Sequence, residues 1–214
     1  MLWRLARPER ADIVILVEWV PFQSVANMYV LSVTTLFIAF GLSELGLLLL
    51  KRSGKAAQSE DRGSLGLLWI VAGSAIFLAL YAMAAWPQFG YALSIAGYWS
   101  GIALFLLGVA LRWWAIVHLG RFFTVNVAIA QDHHVVSDGP YRFVRHPSYA
   151  GSLLAFIGLG LLLHNWLAAL LLLVPVVPAF LWRVKLEEHA LSSALGAEYT
   201  EYMRHTRRIV PFVF

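Results

Sequence analysis

The sequence predicts an all-α protein that crosses a membrane about five times. Hydrophobic residues make up 60% of the 214 residues and charged residues only 13%, whereas about a quarter of the residues in a soluble domain are charged. The apolar residues collect in runs close to the ~20 residues that a helix needs to span a bilayer. Short polar connections separate these runs, which is typical of a polytopic membrane protein.

Composition also excludes several classes of protein. The formal net charge of +4 is too small to indicate a nucleic-acid-binding protein, and the basic residues flank apolar runs as they do beside lipid headgroups. The chain has no cysteine, which excludes a disulfide, a zinc–thiolate site and a thiol nucleophile. Any nucleophile must therefore come from a substrate or from another kind of side chain.

The first part of the chain, residues 1–118, is predicted to hold a short helix and three spans. Residues 12–22 are apolar but too short to cross a bilayer, so we expect an interfacial or packed helix there. The spans are residues 26–50, 65–85 and 92–118.

The next part begins with a polar stretch, residues 131–149, and continues with two predicted spans at residues 149–163 and 166–182. The fourth span is short. The fifth contains Pro175 and Pro178, which remove backbone donors and are expected to kink the helix. A helical polar tail follows, and we treat residues 1–118 and 119–214 as two parts of one membrane domain.

Basic residues predict the orientation of these helices. They collect in the connections after the first and third spans and in the C-terminal tail: Lys51, Arg52, Lys55, Arg62, Arg121, Arg142, Arg145, Arg183, Lys185, Arg204, Arg207 and Arg208. The turns at residues 86–91 and 164–165 lack charged residues and are expected on the opposite face. The positive-inside rule makes the basic face cytoplasmic and puts the N-terminus outside, although Arg4, Arg7 and Arg10 oppose that assignment.

The polar stretch is the first candidate site. Gly139-Pro140 marks a turn, and the segment RHPSY at residues 145–149 opens the fourth helix, because proline suits a first helical position. The free N–H groups of that turn can receive an anionic group. Alternatively, its Arg, His and Tyr side chains anchor the helix to headgroups.

The second candidate is the segment RVKLEE at residues 183–188. Arg183 and Glu187 lie four residues apart, so on a helix they share a face. They form either a surface ion pair or a site in which the cation binds an acidic substrate and the carboxylate binds a cofactor. Glu188 is expected to point elsewhere, into solvent.

Other ionisable residues are weaker candidates. His133 and His134 are adjacent and diverge, and with His146 they lack a completing ligand, so no metal site is expected. Glu44 and Arg112 lie within predicted spans, where ionisable residues are functional candidates. Alternatively, the long side chain of Arg112 reaches the membrane interface.

Four motifs in order, G-x-Y, R-H-P-x-Y, E-E and E-Y-x-x-Y, resemble the isoprenylcysteine carboxyl methyltransferase family and its prokaryotic relatives. They occur here in GPYRFVRHPSYAG, RVKLEEHAL and LGAEYTEYMRHTRRIVPF. The resemblance implies a membrane enzyme that transfers a methyl group from S-adenosyl-L-methionine, releases S-adenosyl-L-homocysteine, and binds the cofactor in a cytoplasmic region formed by the C-terminal half.

The resemblance also implies roles for individual residues. Arg183 is expected to be the catalytic residue that holds the substrate carboxylate. The expected cofactor-binding residues are Asn126, His133, His134, Val135, Val136, Tyr141, His146, Pro147, Ser148, Tyr149 and Glu187. Residues 133–141 would form a loop that covers the cofactor.

The implied acceptor is lipophilic and enters from the bilayer, most simply a prenylcysteine-like carboxylate. Membrane lipids are the expected surroundings, with no nucleic acid and no obligate protein partner. Three alternatives remain open: a methyltransferase for phospholipid amines or small thiols, a membrane reductase similar to the sterol reductases that uses NADPH, and a scaffold without enzymatic activity.

Overall fold

The computed structural model describes residues 33–49, 58–59, 63–92, 94–123, 128–129 and 134–210. Several predictions lie outside the described residues: the helix at 12–22, the start of the first span at 26–32, the basic residues at 51–55 and 62, Asn126 and His133. The chain divides into a unit that ends at Ala39, of which only residues 33–39 are described, and a second unit from Phe40 to Phe214. Apart from residues 33–39 at the start of the first helix, everything that follows concerns the second unit. The organisation of residues 1–214 as one domain stays a prediction.

The described protein is almost entirely helical. The α-helices are α1 (Val33–Leu49), α2 (Ser64–Ala85), α3 (Ile95–Leu119), α4 (Pro147–Leu162), α5 (Trp166–Leu195) and α6 (Ala197–His205). Short 3-10 helices cover Pro87–Phe89, Gly120–Phe122 and Gly139–Arg142. Two strands of two residues, Gln58–Ser59 and Ala128–Ile129, form an antiparallel pair. The prediction of an all-α fold is therefore confirmed apart from this one short ladder.

Among the described residues, three helices are long and apolar enough to cross a membrane: Ser64–Ala85, Ile95–Phe122 and Trp166–Leu195. The helix Pro147–Leu162 has 16 residues and is therefore ~24 Å long, less than the ~30 Å hydrocarbon core. Apolar side chains such as Phe77 and Trp99 are exposed, as expected for helices that face lipid. The chain is an integral membrane protein, and the number of five spans stays a prediction.

The seam between α3 and α4 depends on glycine. A Cβ atom added at Gly108 would lie 2.5 Å from the carbonyl oxygen of Gly151, and one added at Gly151 would lie 2.5 Å from that of Gly108. Gly101 and Gly158 repeat this close approach, at 2.7 Å from a Cβ at Gly158 to the Gly101 oxygen. Small residues allow membrane helices to pack backbone against backbone, and here they fix the position of α4.

Substitution of Gly151 by alanine is expected to destabilise the protein. The added methyl group would collide with backbone atoms, and overpacking of this kind typically costs ~1–3 kcal/mol. Gly160→Ala in the same helix is the matched control, because its nearest neighbour is a flexible side-chain atom at 3.4 Å. Thermal unfolding in detergent should show a lower Tm for Gly151→Ala only, and equal Tm values would contradict a tight α3–α4 seam.

One end of the bundle is closed by the two uncharged turns. The Asn165 side chain accepts from the Ala168 N–H (3.0 Å), which caps α5, and donates to the Trp86 carbonyl (3.0 Å). The Tyr91 hydroxyl donates to the Leu161 carbonyl at 2.9 Å, and the Tyr91 N–H donates to the His164 carbonyl at the same distance. The two turns thus lie together, as the alternation of spans predicts.

At the opposite end, α5 continues past the predicted end of the fifth span. Pro175 and Pro178 lie inside the helix without ending it, since neighbouring helices can satisfy the freed carbonyls in a membrane. The helix ends at Leu195, and Gly196 with φ of +56° turns the chain into α6. The RVKLEE segment is therefore carried on the membrane helix itself, while the predicted kink stays a prediction.

The pair Glu44–Arg112 ties α1 to α3. Arg112 donates from Nε and Nη2 to the two Glu44 oxygens, each at 2.5 Å, and from Nη1 to the Ser152 hydroxyl of α4 at 2.9 Å. Arg112 is buried, so it does not reach for the membrane interface. A bidentate pair with further hydrogen bonds is the arrangement in which a buried charge is tolerated, and we assign it a structural role.

Candidate active site

Arg183 lies at the end of the bundle where α2 and α4 begin. Its side chain is 2% exposed, and it donates from Nε to the Tyr149 hydroxyl (3.1 Å) and from Nη1 to the Ser64 hydroxyl. Buried cations need such hydrogen bonds to offset the loss of water. Both contacts fix the plane of the guanidinium, which is the group that the sequence predicted to hold a carboxylate.

His146 and Glu187 face each other across the start of α4. His146 is the residue before Pro147, which takes the first helical position. Its Nδ1 lies 3.7 Å from Glu187 Oε2, too far for a hydrogen bond. Within the described residues, His146 Nε2 and Glu187 Oε2 are buried and have no hydrogen-bond partner. Two unsatisfied polar atoms at one place are unusual in a folded protein, and a bound ligand could satisfy them.

The prediction that Glu188 is exposed to solvent is wrong. Glu188 is 6% exposed and receives hydrogen bonds from Arg145 Nε and Arg208 Nε, each at 2.8 Å. His146 Nε2 is 3.5 Å from Glu188 Oε1, without the geometry of a hydrogen bond. The error has a physical cause: the helix face that carries Glu188 is covered by residues from the C-terminal end of the chain.

The covering segment is Thr206–Ile209, which we call the C-terminal strap. Val144 and Arg207 form a parallel bridge. The N–H groups of Arg145 and His146 donate to the carbonyls of Arg207 (2.7 Å) and Arg208 (3.0 Å). The Arg145 guanidinium also donates to the carbonyl of Thr206. The strap therefore holds the backbone of His146 in place and joins the two candidate motifs.

The loop before α4 is fixed at several points. The Val135 N–H donates to Glu198 Oε1 of α6 at 3.0 Å, and the His134 ring meets the Phe122 ring edge-on at 4.8 Å. His118, which the sequence did not single out, hydrogen-bonds Asp138 at 2.8 Å. This hydrogen bond lowers the pKa of Asp138. The loop is thus anchored to α3 and α6 where a covering loop is expected.

Tyr141 is the last residue of this loop and lies in the 3-10 helix Gly139–Arg142. Its hydroxyl donates to the Ala115 carbonyl at 3.3 Å, and its own carbonyl accepts from the Tyr202 hydroxyl at 2.6 Å. Burial and the nearby negative charge of Glu187 raise the pKa of Tyr141. Tyr141 is therefore a neutral phenol near Glu187.

The structure brings most of the predicted residues together. Pro147 and Ser148 are buried in the first turn of α4, where the Ser148 carbonyl accepts from Arg112 Nη1 (3.4 Å) and Ser152 Oγ (3.1 Å). Val135 and Val136 are half-buried, whereas His134 is exposed. Among the described residues no group of three or more His, Asp or Glu side chains is arranged to hold a metal ion.

Sequence reasoning missed Ser64 and the partners of Glu188. Ser64 lies 119 residues before Arg183, and nothing in the local pattern of either residue indicates the contact. The contacts of the C-terminal strap were not predicted from the sequence either. The arginines near the C-terminus were the available signal, because a buried carboxylate needs cationic partners.

Comparison with known proteins agrees with the resemblance seen in the motifs. Residues 101–193 match the isoprenylcysteine carboxyl methyltransferase (ICMT) family. The chain is 37% identical over 115 residues to protein-S-isoprenylcysteine O-methyltransferase B of Arabidopsis thaliana, which covers 53% of this chain and 58% of that protein. It is 34% identical over 116 residues to the protein-S-isoprenylcysteine O-methyltransferase of Schizosaccharomyces pombe, which covers 53% of this chain and 49% of that one.

A solved structure is similar as well. The eukaryotic intramembrane Ras methyltransferase ICMT superposes with a TM-score of 0.52 and 27% identity, covering 69% of this chain and 53% of that chain. The chain spans about half the length of the curated relatives that it matches. Residues 101–193 of this chain are therefore similar in sequence to the isoprenylcysteine carboxyl methyltransferase family, and the chain shares part of its fold with a solved methyltransferase.

Proposed function

We propose that this protein transfers a methyl group from S-adenosyl-L-methionine to the carboxylate of a lipophilic, prenylcysteine-like acceptor. The observation that carries the proposal is the position of Arg183. It is a buried guanidinium held by two hydroxyl groups, on the helix that also presents Glu187 to His146. The family match and the names of the relatives support the same reaction.

The residues around His146 fit an adenosyl cofactor. The unsatisfied atoms are a ring nitrogen and a carboxylate oxygen, which suit the ribose hydroxyls and the amino group of such a molecule. The residues proposed to hold it are Asn126, His133, His134, Val135, Val136, Tyr141, His146, Pro147, Ser148, Tyr149 and Glu187. When bound, the cofactor supplies an electrophilic methyl group on a sulfonium.

Arg183 would orient the acceptor. A guanidinium binds a carboxylate with two parallel hydrogen bonds, which fixes the direction of the oxygen that reacts. An ionised carboxylate is already a nucleophile, so the protein needs to position it and exclude water rather than remove a proton. The hydrogen bonds from Arg183 to Tyr149 and Ser64 restrict the guanidinium to one plane.

The apolar helices explain the class of acceptor. The exposed surfaces of α2 and α5 carry Ile70, Phe77, Leu170 and Val174, so a prenyl chain in the bilayer would meet an apolar protein surface. We place the site on the cytoplasmic face because the basic residues collect there, with the N-terminus outside. No nucleic acid and no obligate protein partner enters the reaction.

A radiolabelled methyl-transfer assay on purified protein tests the proposal. A farnesylcysteine analogue should acquire label that base releases, because a methyl ester is hydrolysed by base. Label on phospholipids or small thiols instead would contradict the proposed prenylcysteine-like acceptor. If NADPH but not S-adenosyl-L-homocysteine stabilises the protein, the proposed function is a reductase and not a methyltransferase. If neither ligand binds, a scaffold without enzymatic activity is favoured.

Glu187→Ala is expected to weaken cofactor binding about tenfold, the loss of a charge-assisted hydrogen bond. The Michaelis constant for the acceptor should change less. Glu201→Ala is the matched control, since that glutamate is more than half exposed and pairs only with its α6 neighbours Arg204 and His205 among the described residues. Calorimetric titration with S-adenosyl-L-homocysteine measures both variants. An unchanged affinity for Glu187→Ala would remove Glu187 from the cofactor site.

A further inference from the structure

Tyr199, in the first turn of α6, has a buried hydroxyl without a partner. Its side chain is 3% exposed, yet its Oη finds no hydrogen-bond partner among the described residues. Only three buried side-chain atoms in the described residues share this property, and the other two are His146 Nε2 and Glu187 Oε2. The Tyr199 hydroxyl thus shares an unusual property with the two atoms that the cofactor is proposed to satisfy.

The glutamates of the candidate site affect the titration of Tyr199. Burial raises the pKa of Tyr199, and the carboxylates of Glu188 and Glu187 raise it further, while Arg145 acts in the opposite direction. Both glutamates are thus close enough to act on the phenol, which stays neutral and can donate a hydrogen bond. The charge of Glu188 is already taken up by its two arginine partners.

Helix α6 also touches the loop that covers the site. Glu198, the residue before Tyr199, accepts from the Val135 N–H at 3.0 Å. The Tyr199 and Tyr202 rings pack at 5.9 Å, and the Tyr202 hydroxyl holds the Tyr141 carbonyl. One short helix therefore contacts the loop through Glu198 and carries a buried phenol, Tyr199, that packs against Tyr202. It lies beyond residues 101–193, the range matched to the family.

We infer that the Tyr199 hydroxyl is a further cofactor-binding group, which acts with His146 and Glu187. This inference rests on the proposed function. Because carboxylates surround the phenol, it suits an uncharged hydroxyl or an amino group of the adenosyl cofactor rather than an anion. The hydroxyl is left unsatisfied until the cofactor binds, and its hydrogen bond then adds to affinity.

Tyr199→Phe tests the inference, because it removes only the hydroxyl. Calorimetric titration with S-adenosyl-L-homocysteine should show a Kd about five- to tenfold higher, which is the loss of one hydrogen bond in a buried site. Thermal unfolding of the protein without ligand should show an unchanged or higher Tm, because no internal hydrogen bond is lost.

Tyr91→Phe is the matched control at the opposite end of the bundle. The Tyr91 hydroxyl does have a partner, the Leu161 carbonyl, so its removal should lower the Tm and leave the Kd unchanged. The opposite behaviour of the two variants distinguishes a ligand contact from a structural one.

Two results would overturn the inference while the proposed function stands. One is an unchanged Kd for Tyr199→Phe when the wild-type protein binds S-adenosyl-L-homocysteine. The other is a fall in Tm like that of Tyr91→Phe, which would show an internal partner for the hydroxyl. If the wild-type protein does not bind S-adenosyl-L-homocysteine at all, the proposed function and the inference both fail.

Discussion

Arg183→Ala is expected to lower kcat/KM for the acceptor at least about a hundredfold, which corresponds to ~2.7 kcal/mol of lost transition-state stabilisation. The reason is that Arg183 is the buried cation proposed to orient the carboxylate, and its hydrogen bonds to Tyr149 and Ser64 fix its position. The Kd for S-adenosyl-L-homocysteine should change less than about threefold, since the contacts proposed for the cofactor are made by other residues.

Two further variants complete this experiment. Arg183→Lys keeps the charge but loses the planar pair of donors, so it should recover only part of the activity. Lys185→Ala removes an exposed cation from the same helix and should leave the kinetics unchanged. Steady-state kinetics and calorimetry separate the two roles: weakened cofactor binding with intact acceptor kinetics would refute the assignment of Arg183.

Glu188→Gln is expected to be the most destabilising of the changes considered. It removes the charge that pairs with Arg145 and Arg208, and breaking a buried ion pair by removing one partner typically costs ~3–5 kcal/mol. The strap would lose its anchor, and the His146 backbone would lose part of its support. We therefore expect a lower Tm together with weaker binding of S-adenosyl-L-homocysteine.

Glu201→Gln is the control for this prediction, because an exposed pair contributes little to stability. Arg208→Ala should destabilise the protein less than Glu188→Gln, since the Arg208 side chain is 35% exposed whereas that of Glu188 is 7% exposed. Thermal unfolding in detergent measures all three variants. Equal Tm values for Glu188→Gln and Glu201→Gln would mean that the cluster does not support the site.

Local sequence patterns were sufficient to predict the membrane helices and the start of α4. Apolar composition predicts membrane helices because the bilayer requires them, and four-residue spacing predicts that Arg183 and Glu187 share a helix face. The proline in RHPSY correctly indicated the start of α4. Each of these properties depends on residues that are near one another in the sequence, so a single sequence contains the information.

The features that were missed depend on distant residues. Glu188 follows Glu187 directly, and neighbours on a helix point in directions about 100° apart, so exposure was the natural expectation. Its burial depends on Arg208, which returns to α5 only after α6 has reversed the chain. The contact between Ser64 and Arg183 likewise depends on the packing of α2 against α5. No periodicity within one helix carries that information.

The hydrogen bond between Ser64 and Arg183 determines which part of the chain is needed to keep the surroundings of Arg183 intact. The family match begins at residue 101, whereas Ser64 lies before it, at the start of a helix without charged residues. A fragment limited to the matched residues would keep Arg183 and lose this hydroxyl. The smallest piece that preserves the arginine's described surroundings must therefore include α2, so this helix contributes to the candidate site as well as to the membrane bundle.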